Sequence, residues 1–157
     1  MANPNTYPPA VPVYSRLPVF NSLGSTLTLT AAQSGSLIIL DRAAGVTVTL
    51  PTTPAVGTFF IFKVAVTVTS NSDKMITGSA TELLVGSIIN CDTDTSDTVA
   101  IWKALVGSSY ISVNLNGGTT GGLKGDYFRV TCLNSTTWHV TGVINGTGTV
   151  ATPFANS

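Results

Sequence analysis

The groups that could do chemistry in this chain are few: one histidine, two cysteines and seven carboxylates. A Cys–His pair would need Cys91 or Cys132 to meet His139 in space, because the thiolate is the nucleophile and the imidazole takes its proton. A serine triad would need its nucleophile on a strained elbow, and no Gly-x-Ser-x-Gly occurs. His139 stands in Thr137-Trp138-His139-Val140-Thr141. Strand alternation turns Trp138 and Val140 inward and leaves His139 on the outer face with the two threonines. The expectation is a solvated strand histidine, two buried and reduced thiols and no catalytic residue.

The carboxylates are Asp41, Asp73, Glu82, Asp92, Asp94, Asp97 and Asp126. Glycoside hydrolysis wants two of them facing each other across a cleft, and no pair stands out. Asp92, Asp94 and Asp97 have Asp-x-Asp spacing that can gather oxygens around calcium. Counted as an EF-hand loop from Asp92, however, the glycine position holds Asp97 and the glutamate position holds Lys103. A polar turn is expected there, with an ion in an assembled oligomer as the alternative. The stretch from Gly117 to Gly125 contains Lys124, but Leu123 precedes it and a strand follows. The phosphate loop, which needs Gly-Lys-Ser/Thr opening a helix, therefore fails, and a flexible hairpin or surface loop is expected. The sequons at Asn134 and Asn145 read as chance matches. No cofactor or metal is expected.

The elements that must carry these residues are strands. Residues 26–30 alternate Thr with Leu, and Val46-Thr47-Val48-Thr49-Leu50 does the same. This period of two puts one set of residues inside and the other outside. Residues 58–69 run longer, with Phe60, Phe62, Val64, Val66 and Val68 as one apolar face. Further strands are expected at 36–41, 82–89, 98–103, 109–115, 126–132 and 137–144. Turn signals separate them at Ala44-Gly45, from Pro51 to Gly57, at Asn71-Ser72-Asp73, at Asn116-Gly117-Gly118 and at Asn145-Gly146. Ala31 to Ser34 allows one helical turn at most. Short strands at such spacings imply an all-β protein, a single β-sandwich or jelly-roll-like domain. The likeness between residues 26–30 and 46–50 reads as generic alternation and not as a repeat.

Residues 1–24 differ. Pro4, Pro8, Pro9, Pro12 and Pro18 exclude a helix or a central strand, while Tyr7, Val13, Tyr14 and Phe20 are too apolar for an idle linker. An extended Pro-rich N-terminal arm over residues 1–24 is expected, with the β-domain over 25–157. Tyr7, Pro8, Pro9, Val13, Tyr14, Arg16 and Phe20 are the candidate partner-binding residues of the arm. A segment folded back on its own domain is the other reading.

Only 9% of the residues are charged and the formal net charge is zero, against about 25% charged in an average globular protein. A surface with so little charge suits a chain that rests on other subunits. The seven basic residues are scattered and form no stripe for phosphate, so nucleic acid is not expected as a partner. No apolar run approaches the ~18 residues of a membrane span, so a membrane is not expected either. The opening Met-Ala-Asn-Pro-Asn-Thr lacks the blocks of a signal peptide, which suggests a protein made and used inside a cell.

The segments Leu29-Thr30-Ala31-Ala32-Gln33-Ser34-Gly35 and Ile39-Leu40-Asp41-Arg42-Ala43-Ala44-Gly45-Val46-Thr47-Val48-Thr49-Leu50-Pro51 resemble the start of head decoration (cement) proteins of tailed bacteriophages. Phe59-Phe60-Ile61-Phe62-Lys63-Val64 looks like the long strand that follows in that family. Gly125-Asp126-Tyr127-Phe128-Arg129-Val130 and Thr137-Trp138-His139-Val140-Thr141-Gly142 look like its closing hairpin. The resemblance spans about residues 27–145 and leaves out the Pro-rich arm. It implies a virion protein on the outer capsid surface, a homotrimer or homodimer that clamps neighbouring major capsid protein subunits. Two other functions stay open: a tail-fibre or neck component, and a carbohydrate-binding sandwich using Tyr110 and Tyr127.

Overall fold

The structure is a computed structural model that describes residues 17–94 and 98–157. Among them the strands are β1 (Val19–Phe20), β2 (Thr26–Thr28), β3 (Ser36–Leu40), β4 (Thr47–Thr49), β5 (Phe59–Val64), β6 (Asp73–Ile76), β7 (Leu83–Asp92), β8 (Val99–Ala104), β9 (Ser112–Leu115), β10 (Tyr127–Asn134), β11 (Thr137–Gly146) and β12 (Phe154–Ala155). They form a larger sheet in the order β1-β3-β5-β10-β11-β7-β8 and a smaller one in the order β12-β9-β6-β4-β2. The chain is thus an all-β sandwich. One 3-10 turn, Ala31–Gln33, is its sole helical piece among the described residues. Thr30 caps it, its backbone N–H donating to Gln33 Oε1 at 2.7 Å.

The core lies where the alternation predicts. From the larger sheet Phe60, Phe62, Leu84, Ile88, Phe128, Val130, Trp138, Val140 and Ile144 point inward, and from the smaller Val48, Met75, Val113 and Leu115 meet them. The Phe62 and Phe128 rings stack with centroids 4.6 Å apart, and Phe60 leans on Trp138 at 6.3 Å. Full burial of each such side chain contributes about 1.5–3 kcal/mol.

The path of the chain is less familiar. β1 to β6 alternate between the sheets, so that β1, β3 and β5 lie parallel in one while β2, β4 and β6 lie parallel in the other. The N-terminal half is a flattened β-coil. Thr26 lies beside Thr47 and Thr28 beside Thr49, so the two Thr-alternating segments occupy the same place on successive turns of that coil. The turn signals at 44–45 and 51–57 are corners between sheets and not hairpins. Among the described residues only β7–β8 and β10–β11 are sequential antiparallel neighbours. Parallel pairing excludes a jelly roll, whose sheets are antiparallel. Asp73, read as part of a turn, opens β6 and is buried. The strand expected over 58–69 ends at Val64, because Ala65 and Val66 turn the corner on the Leu40 carbonyl.

The candidate arm residues Tyr7, Pro8, Pro9, Val13, Tyr14 and Arg16 lie outside the described residues. Phe20 lies within them. It sits in β1 beside Ile38 and packs against the domain's own core. The Pro18 carbonyl accepts from Leu37 N–H at 2.8 Å, and the Asp41 carboxylate accepts from the Ser22 and Leu23 N–H groups.

Candidate interaction face

Register fixes what the outer face of the larger sheet displays. One row across it runs Ile101, Ile89, Val143, Tyr127, Lys63, Ile39. The next runs Lys103, Ser87, Thr141, Arg129, Ile61, Leu37, Val19. A third runs Val85, His139, Thr131, Phe59. Exposure is high at the β8 end, where Val99 is 64% and Ile101 58% exposed, and it persists inward at Val143, 44% exposed. Beyond β8 the face meets a hollow of about 310 Å³ lined by Leu83, Val85, Leu105, Val106 and Leu133, with Val106 93% exposed. Exposed apolar surface in a contiguous patch marks contact with another macromolecule.

The charge on this face has one sign. Lys63, Lys103 and Arg129 are its charged side chains, and none of its outward strand positions holds a carboxylate. The Arg129 guanidinium lies 4.1 Å from the Phe59 ring centroid and Lys63 Nζ lies 5.8 Å from that of Tyr127. Both cations lie within cation–π reach of an aromatic ring. The outer face of the smaller sheet carries Thr26, Thr28, Thr47 and Thr49 as a hydroxyl array on β2 and β4, with Lys74 and Ile76 of β6 and Asn114 of β9 beside them. The two outer faces differ in apolar exposure: Val99, Ile101, Ile89 and Val143 are exposed on the larger sheet, whereas the smaller displays mainly hydroxyl and amide groups with Lys74 and Ile76 among them.

The candidate catalytic groups are not brought together. His139 points outward between Val85 and Thr131. Cys91 is also on the outer face, but six residues beyond Val85 along β7, or ~20 Å away at strand rise. Cys132 is buried on the inner side opposite Trp138. Burial, and then the charge of Glu82, push its thiol above the usual range. Tyr110 is stacked on Phe154 at 5.7 Å and packed against the core, so its ring is not a free platform for a sugar. Near the β7–β8 connection Asp94 N–H donates to Asp92 Oδ1 at 3.1 Å and Gly148 N–H to Asp94 Oδ2 at 3.1 Å. Asp97 lies outside the described residues. Among the described residues no three metal-ligating side chains cluster.

Three carboxylates have structural roles that sequence reasoning did not find. Glu82 is buried and accepts from Trp138 Nε1 at 3.0 Å and from Thr53 N–H at 2.6 Å. Asp126 anchors the glycine-rich segment, so that segment is not the flexible loop expected: Gly121 and Gly122 are buried. Asp73 Oδ1 accepts from Val46 N–H at 3.0 Å, while its Oδ2 is buried without a partner. Burial pushes the Asp73 carboxyl up from 3.8 to about 6, with the Val46 N–H opposing and Asp41 adding.

That shift has a sign. The folded state holds the Asp73 proton more tightly than the unfolded chain, so the stability it contributes is present at low pH and is lost as pH rises through about 6. Stability at pH 5 is expected to exceed that at pH 8 by about 1–2 kcal/mol from this group, with Asp126, also raised by burial, adding in the same direction. Asp73→Asn keeps the acceptor for Val46 and removes the charge. Urea unfolding should show a reduced pH 5 to pH 8 difference and no loss of stability at pH 8. An Asn variant with the full wild-type pH slope would refute the assignment.

Compared with family models, with curated proteins and with solved structures, the chain has no match.

Proposed function

We propose that the protein is a structural virion component that binds the outer surface of an assembled phage capsid as a homo-oligomer and bridges neighbouring major capsid protein subunits. The observation that carries this reading is the two-sidedness of the sandwich. The larger sheet exposes a row of aliphatic side chains, Ile101, Ile89 and Val143, beside Lys63, Lys103 and Arg129, and the smaller offers mainly threonine hydroxyls with Lys74 and Ile76 among them. A coat protein needs one docking side and one solvent side. The docking partner that fits is an apolar surface carrying carboxylates, which would pair with Lys63, Lys103 and Arg129 while the aliphatic row is buried. The residue segments that resemble head decoration proteins, 29–51 and 125–142, support the same reading from the sequence. Residues 1–16, with Tyr7, Pro8, Pro9, Val13, Tyr14 and Arg16, would add contact area on a neighbour at low entropic cost because prolines limit the free chain.

Sedimentation with expanded, DNA-free heads tests this. The full chain at micromolar concentration is expected to pellet with the heads at a saturating, fixed ratio to the major capsid protein. Protein that stays in the supernatant at that concentration would refute the proposal.

A further inference from the structure

We infer that two copies of this chain pair edge to edge through β8, antiparallel across a dyad that places Ile101 opposite Ile101 and joins the two larger sheets into one. This deepens the reading of the protein as a homo-oligomeric coat component and identifies the surface that holds the oligomer.

Among the described residues the sandwich has four sheet edges, at β1, β8, β12 and β2. Three of them are two or three residues long, and Pro18 and Pro153 stand immediately before β1 and before Phe154 of β12. Such short, proline-flanked edges resist pairing. β8 is six residues long and holds no proline or glycine, and among the described residues no strand covers its outer side.

Its free backbone groups can be assigned. Asp92 N–H donates to the Thr98 carbonyl at 2.8 Å, and Gly86 faces Ala104 in the same ladder. Because hydrogen-bonded pairs alternate along an antiparallel ladder, Ala100, Trp102 and Ala104 bond towards β7. The N–H and C=O groups of Val99, Ile101 and Lys103 therefore point to the open edge. Side chains on the same residues stand on the apolar outer face.

The register follows from sterics and charge. Residues that face each other across a sheet edge must share a side, so outward residues meet outward residues. A dyad at Lys103 would set like charges face to face, which is destabilising. A dyad at Ile101 puts Ile101 against Ile101, Val99 against Lys103 of the second copy, and Ala100 against Trp102 of the second copy. It uses every free group of Val99, Ile101 and Lys103, for about six backbone hydrogen bonds. The axis stands perpendicular to the sheet, so both copies present their apolar, cationic faces on the same side. The pair is thereby bivalent towards one surface, and two modest contacts act at high effective concentration.

The test is the mass of the full chain in solution, by light scattering over 1–100 µM, with no heads present. The wild type is expected at twice the chain mass. Ile101→Lys and Ile101→Asp, each repelling its own copy at the dyad, are each expected at the single-chain mass with a dissociation constant raised at least 100-fold. Mixed in equal amounts they should return to the two-chain mass. Val99→Asp faces Lys103 of the second copy and is expected to leave the dissociation constant within threefold or lower it, which a merely greasy contact would not do. A wild type that is monomeric or trimeric across this range, or an Ile101→Lys variant that stays dimeric, would overturn the inference. Should the Ile101 variants misfold, a Val99→Asp chain that dissociates would overturn it alone. A wild-type monomer that still pellets with heads would overturn only the dyad. A dimer that ignores heads would support the dyad and overturn the coat function.

Discussion

Asp126→Ala is expected to cost about 3–5 kcal/mol of unfolding free energy, a large share of the roughly 5–15 kcal/mol that holds a domain folded. The carboxylate is fully buried. Its Oδ2 accepts from Gly122 N–H at 2.7 Å and Leu123 N–H at 3.2 Å, and its Oδ1 accepts from the Asn145 backbone N–H at 2.9 Å and Asn145 Nδ2 at 2.8 Å. Burial raises its pKa, and the Asn145, Gly122 and Leu123 donors oppose that rise. Hydrogen bonds to a charged group contribute about 1.5–3 kcal/mol each, and buried donors left without an acceptor carry a full desolvation penalty. Alanine would orphan donors from two elements at once, the glycine-rich loop and the end of β11. The loop cannot easily close over the gap. Gly122 has φ 95°, and a Cβ there would lie 2.8 Å from the Gly117 nitrogen, so its backbone is committed to one path. Asp126→Asn should recover only part of the loss, because its amide NH₂ must face N–H donors on one side. Urea denaturation at pH 7 measures both. An alanine variant within 1 kcal/mol of wild type would refute the role.

Asp126 also shows where reading the sequence stops. The alternation in residues 46–50, 58–64, 126–132 and 137–144 is a local signal, because a half-buried strand must put every second side chain inside. It turned Trp138 and Val140 inward and put Phe60 and Phe62 on one apolar face, and all four are buried. Partner choice is not local. Whether the chain at Gly45 or Pro51–Gly57 doubles back or crosses to the other sheet depends on which distant face lacks cover, and both paths show the same turn residues. Hence the parallel coil of β1 to β6 was illegible, although the matching Thr-x-Thr of β2 and β4 was its trace. Short β6 was missed because Asp73 at its start looks like a turn residue. It is tolerated inside because Val46 N–H meets one of its oxygens. The glycine run looked mobile because glycine is permissive by itself, and the acceptor that fixes it comes after the run. The interaction face was half legible. Alternation placed His139 outward. That Val143, Ile89 and Ile101 line up on the same face follows only from the order β10-β11-β7-β8.

Val143→Glu is expected to abolish head binding while leaving the fold intact. Val143 lies between Ile89 and Tyr127 in the outward row and is nearly half exposed in the free chain, so the substitution removes little core packing. Exposed changes of this kind usually stay within about 0.5 kcal/mol of wild type, and the lower strand propensity of Glu adds a few tenths. Docking is another matter. In the middle of the face the new carboxylate would be taken out of water, and the partner surface that suits Lys63, Lys103 and Arg129 is itself acidic. A central residue so placed is worth about 2–4 kcal/mol, or a 30- to 1,000-fold loss at each contact. Where two copies bind as one unit the loss recurs at the second contact, because avidity multiplies the single-site constants. The effect should appear in the off-rate, since the cations Lys63, Lys103 and Arg129 that steer encounter are untouched. Thr28→Glu, on the threonine face, supplies the contrast: the same charge on the solvent side should change head binding less than threefold. Parallel sedimentation of the two variants with heads, each checked for a wild-type melting profile, decides between a docking face and an indifferent surface. Equal binding by a folded Val143→Glu variant and wild type would show that the larger sheet does not carry the contact.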